Sequence, residues 1–140
     1  MVALLRSLLF VFLFSCIPNV NSKSSSQGNF IEKEFYSNGI LKYESSYKNG
    51  KLDGMSKTWD EKGNLKSKVE YKNGFIHGTW ETYYPSEQIK NTTNYIYGKK
   101  NGKEIWYHSN GVKQSEVKYI NDIQDSNVMR WDETGQQIIN

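Results

Sequence analysis

The chain is poor in the residues that build most reactive sites. It has one cysteine, two prolines and two histidines in 140 residues. The single thiol is Cys16, so the remainder of the chain can form neither an internal disulfide nor a thiolate metal site. His77 and His108 stand alone, without partners at metal-ligand spacing. Leucine is scarce where a thick core would need it. Five of the eight lie in the first 13 residues, and only Leu41, Leu52 and Leu65 follow. The longest apolar run, Leu8–Phe14, is seven residues, far short of the ~20 that span a bilayer. Charge of one sign is lacking too. Eighteen basic against 15 acidic residues leave a formal +3, with none of the clustering that marks a nucleic-acid footprint. No G-x-G-x-x-G, P-loop or G-x-S-x-G string occurs. These absences argue against an enzyme, and the expectation is no catalytic residue, no metal, no cofactor and no nucleic-acid partner.

What the chain does have is aromatic residues and rhythm. All ten Tyr and all four Trp lie beyond Phe35. Such residues suit a half-buried pleated surface. A phrase of 24 residues recurs, with units starting at Phe35, Trp59, Tyr83 and Tyr107 and a partial unit at Trp131. These five residues form one column; Tyr47, Tyr71, Tyr95 and Tyr119 form a second. Both columns are read as the repeat core. A period in this range marks stacked supersecondary units. Within each unit Leu65, Ser67, Val69 and Tyr71 alternate with Lys66, Lys68 and Glu70, which predicts a strand with one dry and one wet face. Asn38-Gly39, Lys62-Gly63, Asn110-Gly111 and Thr134-Gly135 mark one corner, and Asn49-Gly50, Asn73-Gly74 and Tyr97-Gly98 the other. Asn-Gly favours a two-residue type I′ hairpin turn. Pro85-Ser86-Glu87-Gln88 replaces the first corner in the third copy and predicts a different shape there.

Residues 1–22 have the form of an export signal, with Leu8–Phe14 as its apolar centre. Two cleavage readings stand. One cuts after Val20-Asn21-Ser22. The other treats Leu13-Phe14-Ser15-Cys16 as a lipobox, with lipid attached at Cys16. The polar stretch behind Cys16 favours the lipoprotein. Residues 23–33 are read as a flexible tether and 34–140 as the repeat domain.

The pattern aromatic-x-x-x-Gly-x-Leu-Lys, then Tyr-x-Asn-Gly-x-x-x-Gly, resembles the MORN-repeat variant found in bacterial proteins grouped as YwqK-type antitoxins. The resemblance runs from Phe35 to about Asn140. It implies an all-β fold, with one hairpin per unit stacked into an elongated single antiparallel sheet behind the signal segment. It also implies a binding role, to proteins and in some members to membrane lipids.

Two features are candidates for that role. Lys42, Lys66 and Lys90 form a column on the predicted wet face, about 10 Å apart at two strand spacings. They read either as a solvated face or as a ladder for an acidic partner or lipid head groups. Trp80 and Trp106, with Tyr36, Tyr84 and Tyr97, fall outside the core columns. They read as a docking face or as a second small core. The expectation is an exported, lipid-anchored repeat module of the cell envelope that binds an unidentified protein, antitoxin- or immunity-like function being one case. The alternative is an envelope structural protein that contacts lipid head groups.

Overall fold

The computed structural model describes residues 28–139. Residues 1–22, read from the sequence as a signal segment, and the lipidation candidate Cys16 lie outside them. Eleven strands form one antiparallel sheet, and the described residues contain no helix. The strands are β1 (Asn29–Phe35), β2 (Leu41–Lys48), β3 (Lys51–Trp59), β4 (Leu65–Lys72), β5 (Phe75–Tyr83), β6 (Ile89–Ile96), β7 (Lys99–Tyr107), β8 (Lys113–Ile120), β9 (Ile123–Gln124), β10 (Met129–Trp131) and β11 (Gln137–Ile138). Each of β1 to β8 pairs with its neighbour in sequence. The 24-residue period therefore equals two strands, and the sheet grows by one hairpin per repeat.

The repeat array starts earlier than the sequence suggests. Residues 29–33, read as tether, belong to β1, which pairs with β2 from Asn29 opposite Lys48 to Phe35 opposite Leu41. Its composition explains this. Phe30, Glu32 and Glu34 alternate with Ile31, Lys33 and Phe35, and the Phe30 ring stacks on Tyr47 with centroids 4.9 Å apart.

The two corners are built differently. At one, Asn49, Asn73 and Tyr97 have φ of 49°, 52° and 47°, and Gly50, Gly74 and Gly98 follow at 76°, 87° and 82°. Two successive positive φ values are what a type I′ turn requires. Asn121 and Asp122 keep that shape without glycine. The other corner is not a two-residue turn. It is a five-residue loop, as in Tyr36–Ile40, where Tyr36 N donates to Ile40 O at 2.8 Å and Gly39 N to Tyr36 O at 2.9 Å. The third copy keeps this loop despite its different residues. Tyr84 N donates to Gln88 O at 2.8 Å, Glu87 N donates to Tyr84 O at 2.9 Å, and Glu87 takes the glycine's place at φ 65°.

Every repeat carries one bulge, and the first three carry a second. The first adds one residue, Lys42, Lys66, Lys90 or Gln114, so that Thr58 faces Ser67 but Trp59 faces Leu65. This slip moves Leu65 off the face shared by Ser67, Val69 and Tyr71, because an extra residue inverts the alternation beyond it. The second sets three residues opposite one: Asp53-Gly54-Met55 against Ser46, His77-Gly78-Thr79 against Glu70, and Asn101-Gly102-Lys103 against Asn94. The middle glycines have φ of 102°, 107° and 113°. In the fourth repeat the equivalent residue is Ser126. There the strand breaks into β9 and β10, both paired with β8, while Ser126 Oγ accepts from Lys118 N at 3.0 Å.

The sheet has two unlike faces. Side chains opposite one another in register share a face. Tyr43, Ser45, Tyr47, Ser56, Thr58, Ser67, Val69, Tyr71, Trp80, Thr93, Glu104 and Val117 therefore lie on one, here the tyrosine face. The other, the charged face, carries Lys33, Glu44, Lys68, Glu81, Lys103 and Glu116, joined as ion pairs at 2.9, 3.3 and 2.7 Å. The two aromatic columns are split between them. Tyr83 donates to Glu81 at 2.5 Å, and the Lys113 ammonium lies 4.9 Å from the Trp131 ring while it pairs with Glu116 at 2.5 Å. The Phe35 column is thus on the charged face, against the expectation of one dry side.

Candidate binding surface

On the tyrosine face the innermost row is small and the flanks are tall. Ser45, Ser56, Val69, Thr93 and Val117 occupy the middle and are buried, although no second layer packs over the sheet among the described residues. Tyr47, Tyr71, Tyr95 and Tyr119 recur along one flank at every second strand, each half-buried. A row of this kind covers its small neighbours and keeps its own outer surface wet, which suits the amphipathic ring of tyrosine. Burial pushes the Tyr47 hydroxyl above its ordinary pKa, with the Glu32 carboxylate adding to the effect, and burial raises Tyr95 as well. Trp80 sits in the central row, between Val69 and Thr93, and its indole lies 6.1 Å from the Tyr95 ring. Its Nε1–H is enclosed without a protein acceptor. Trp106, opposite Asn91 and Ser115, is 38% exposed.

A polar cluster closes the middle of this face. Thr93 Oγ1 donates to Asn91 Oδ1 at 3.1 Å, Asn91 Nδ2 donates to Ile105 O at 3.0 Å, and Lys100 Nζ pairs with Glu104 Oε1 at 2.9 Å. Burial works against the Lys100 charge, but the Glu104 carboxylate outweighs it and holds the pKa above its ordinary value. These groups satisfy one another. Among the described residues no group of three or more His, Cys, Asp or Glu is placed to hold a metal ion.

The structure brings some sequence candidates together and disperses others. Tyr47, Tyr71, Tyr95 and Tyr119 form a row with Trp80 and Trp106 on the same face. Phe35 does not act as core. It is 57% exposed, because β1 is the outer described strand and nothing beyond it covers the ring. Trp59, Tyr83, Tyr107 and Trp131 are half-buried on the opposite face. Burial, and then the Glu81 acceptor, push the Tyr83 hydroxyl up to about 12. Lys42, Lys66 and Lys90 are exposed bulge residues. Lys42 turns to Glu34 on the tyrosine face at 2.6 Å and lies 5.9 Å from the Tyr36 ring, and Lys90 lies 5.7 Å from the Tyr84 ring.

One column escaped the sequence reading. Tyr36 Oη donates to Trp59 O, and Tyr84 Oη to Tyr107 O, both at 2.8 Å. His108 Nε2 lies 2.9 Å from Trp131 O in the same role. Each bond ties a loop to the strand end 23 residues on. Asp60 occupies this position in the second repeat but turns inward, accepting from Lys62 N and Asn64 N at 2.9 Å each. The period itself carried the signal, since positions 36, 84 and 108 are all rings that bear a polar atom.

Among the described residues the chain is a single-layered ribbon of stacked hairpins, with an aromatic face that no other described element covers and ion-paired side chains behind it, which is the architecture of a repeat protein. The chain belongs to the MORN repeat variant family, which matches residues 31–49, 52–73, 76–97 and 100–121, more than half of its length. Each matched segment covers one hairpin around a five-residue loop, from β1–β2 to β7–β8. No curated protein matches the chain.

Proposed function

We propose that the chain is an exported, lipid-anchored MORN repeat module that binds another protein through its tyrosine face, with an antitoxin- or immunity-like role as one instance, and that it performs no catalysis of its own. The observation that carries this reading is the row Tyr47, Tyr71, Tyr95 and Tyr119 beside Trp80 and Trp106. These are large amphipathic rings at regular intervals, uncovered by any other described element. Tyr and Trp are the side chains most enriched at binding hot spots. Being set in a sheet, they lose little freedom on binding. The apolar run before Cys16 supports the anchor. Contact with lipid through Lys42, Lys66 and Lys90 is the weaker reading, because Glu34 already neutralises Lys42.

The test is site-specific photocrosslinking in the native host. A benzophenone amino acid at Trp106 is expected to capture one discrete partner, and the same probe at Lys118 on the charged face none. Equal capture from both positions, or none from Trp106, refutes the face assignment. Palmitate labelling lost in Cys16→Ser is the expected mark of the anchor. Unchanged labelling and fractionation would remove it.

A further inference from the structure

Four Asn-Gly pairs stand at corners of the ribbon: Asn38-Gly39, Asn49-Gly50, Asn73-Gly74 and Asn110-Gly111. This dipeptide carries a latent reaction. The glycine nitrogen can attack the asparagine Cγ, because glycine has no side chain to shield it. The four pairs are alike in sequence, and the fold treats them differently.

At the five-residue loops the side-chain amide is held at both ends. Asn38 Nδ2 donates to Glu61 O at 2.9 Å, while Asn38 Oδ1 accepts from Ile40 N at 3.0 Å. Asn110 repeats this with Glu133 O at 2.9 Å and Val112 N at 3.0 Å. The attacking nitrogen is occupied as well, since Gly39 N donates to Tyr36 O and Gly111 N to His108 O, both at 2.9 Å. At the two-residue turns Asn49 and Asn73 are exposed, and neither side-chain amide has a hydrogen-bond partner among the described residues.

The two turns differ in the nitrogen that would attack. Gly74 N donates to Leu52 O of the preceding hairpin at 2.7 Å, whereas Gly50 N has no acceptor among the described residues. Each turn makes one further tie, Asn49 N to Gly28 O and Asn73 N to Asp53 Oδ2, both at 3.0 Å. Both asparagines hold left-handed backbone, at φ 49° and 52°. There the following nitrogen points away from Cγ, so ring closure needs the turn to open. Opening breaks one of these bonds at Asn49 and two at Asn73, and local opening is favoured where fewer contacts are lost. Nothing lies within 4 Å of a Cβ placed on Gly50, so the turn has room to move.

We propose that Asn49 is the site at which this chain deamidates. Gly50 N gives up its proton and bonds to Asn49 Cγ. The Cγ–Nδ2 bond breaks, and ammonia leaves with that proton. The product is a five-membered cyclic imide, which water then opens. Addition at Cγ leaves aspartate. Addition at the Asn49 main-chain carbonyl leaves isoaspartate, with the chain routed through the side-chain carbons. Either product puts a carboxylate between Lys48 and Lys51, which stand opposite each other across the turn. Isoaspartate also lengthens a turn whose type I′ form has room for two ordinary residues. The inference does not depend on the binding role proposed above.

The test ages the full chain in mildly alkaline buffer made with heavy-oxygen water and maps it by mass spectrometry. Cleavage after glutamate puts the four asparagines in separate fragments, 35–44, 45–61, 71–81 and 105–116. Fragment 45–61 is expected to take up label first. Fragment 71–81 is expected to follow about fivefold more slowly, the factor that one hydrogen bond of ordinary net strength is worth. The other two are expected to stay unlabelled. In urea, with the chain unfolded, all four are expected to label at similar rates. Equal labelling of the folded chain, a lead by any other fragment, or a folded 45–61 fragment that stays unlabelled while its unfolded counterpart reacts, overturns the proposal. Asn49→Gln is expected to remove methyl acceptance from an isoaspartyl methyltransferase while far-UV spectra remain unchanged. Methylation that survives the substitution places the isoaspartate elsewhere and likewise overturns it.

Discussion

Replacing Gly102 by alanine tests the second bulge most directly. Gly102 has φ 113°, a backbone region that side-chain-bearing residues rarely adopt, and holding one there costs about 1–3 kcal/mol. The added Cβ would also stand 3.1 Å from Asn94 Cβ. That atom cannot rotate away, so strand β6 must yield. Together these terms come to about 2–4 kcal/mol. In urea, with a slope of about 1.5 kcal/mol/M, the midpoint of unfolding should fall by about 2 M. Gly50→Ala is the control. Its φ is 76° and nothing lies within 4 Å of the added atom, so only the left-handed backbone cost of about 1 kcal/mol applies. Adding Asn94→Gly to Gly102→Ala should recover the part due to overlap, a coupling that a double-mutant cycle reads directly. Amide exchange should rise first in β7 and β8. A loss below about 1 kcal/mol, or equal losses at Gly50 and Gly102, would mean that the bulge relaxes and that Ser126 is not the reason the fourth repeat breaks.

Glu87→Gly should stabilise the chain by about 1 kcal/mol, because Glu87 holds φ 65° where the other loops place glycine; a raised melting temperature checks it. Tyr84→Phe should cost about 1 kcal/mol by leaving Tyr107 O without its donor, whereas Tyr97→Phe, whose ring is 51% exposed, should change little. Lys103 and then Lys113 hold the Glu116 carboxyl below its usual pKa. A depressed folded-state value means that its contribution is present above the unfolded carboxylate range and is lost as pH falls through the folded value. Stability should therefore be flat from neutral pH down to about 5 and decline below about 4.5, and Glu116→Gln should flatten that decline while costing about 1 kcal/mol at pH 7.

Strand order and turn positions were open to reading because hairpin repeats write themselves into a period: once Tyr47, Tyr71, Tyr95 and Tyr119 are seen to recur, their alignment in one row follows. Which face each aromatic column occupies was hidden. The bulge residues Lys42, Lys66, Lys90 and Gln114 are polar like any solvent-facing position, so nothing in their chemistry announces a slip of one. Gly54, Gly78 and Gly102 supply the last glycine of the Gly-x-x-x-Gly pattern that follows each tyrosine, yet they are bulge residues whose missing Cβ admits Ser46, Glu70 and Asn94. β1 was missed because it lacks both the glycine and the tyrosine by which other copies declare themselves; Phe30 takes over by stacking on Tyr47. The binding surface was only half legible. Trp80 and Trp106 were named from composition, but their place on one face with the tyrosine row exists only once the strands are laid side by side.

Among the described residues β1 pairs on one side alone, and its seven exposed residues could template a twin. In a twofold meeting of two such margins, the alignment that uses all seven sets Glu32 against Glu32. Shifting by one residue brings Lys33 against Lys33, with Glu32 facing Glu34. Like charges directly opposed destabilise a sheet, so both are disfavoured, which leaves the register centred on Ile31, with Phe30 facing Glu32. Among the described residues the β1 margin thus admits a twin only in a shortened register, and such a twofold contact closes on itself instead of propagating.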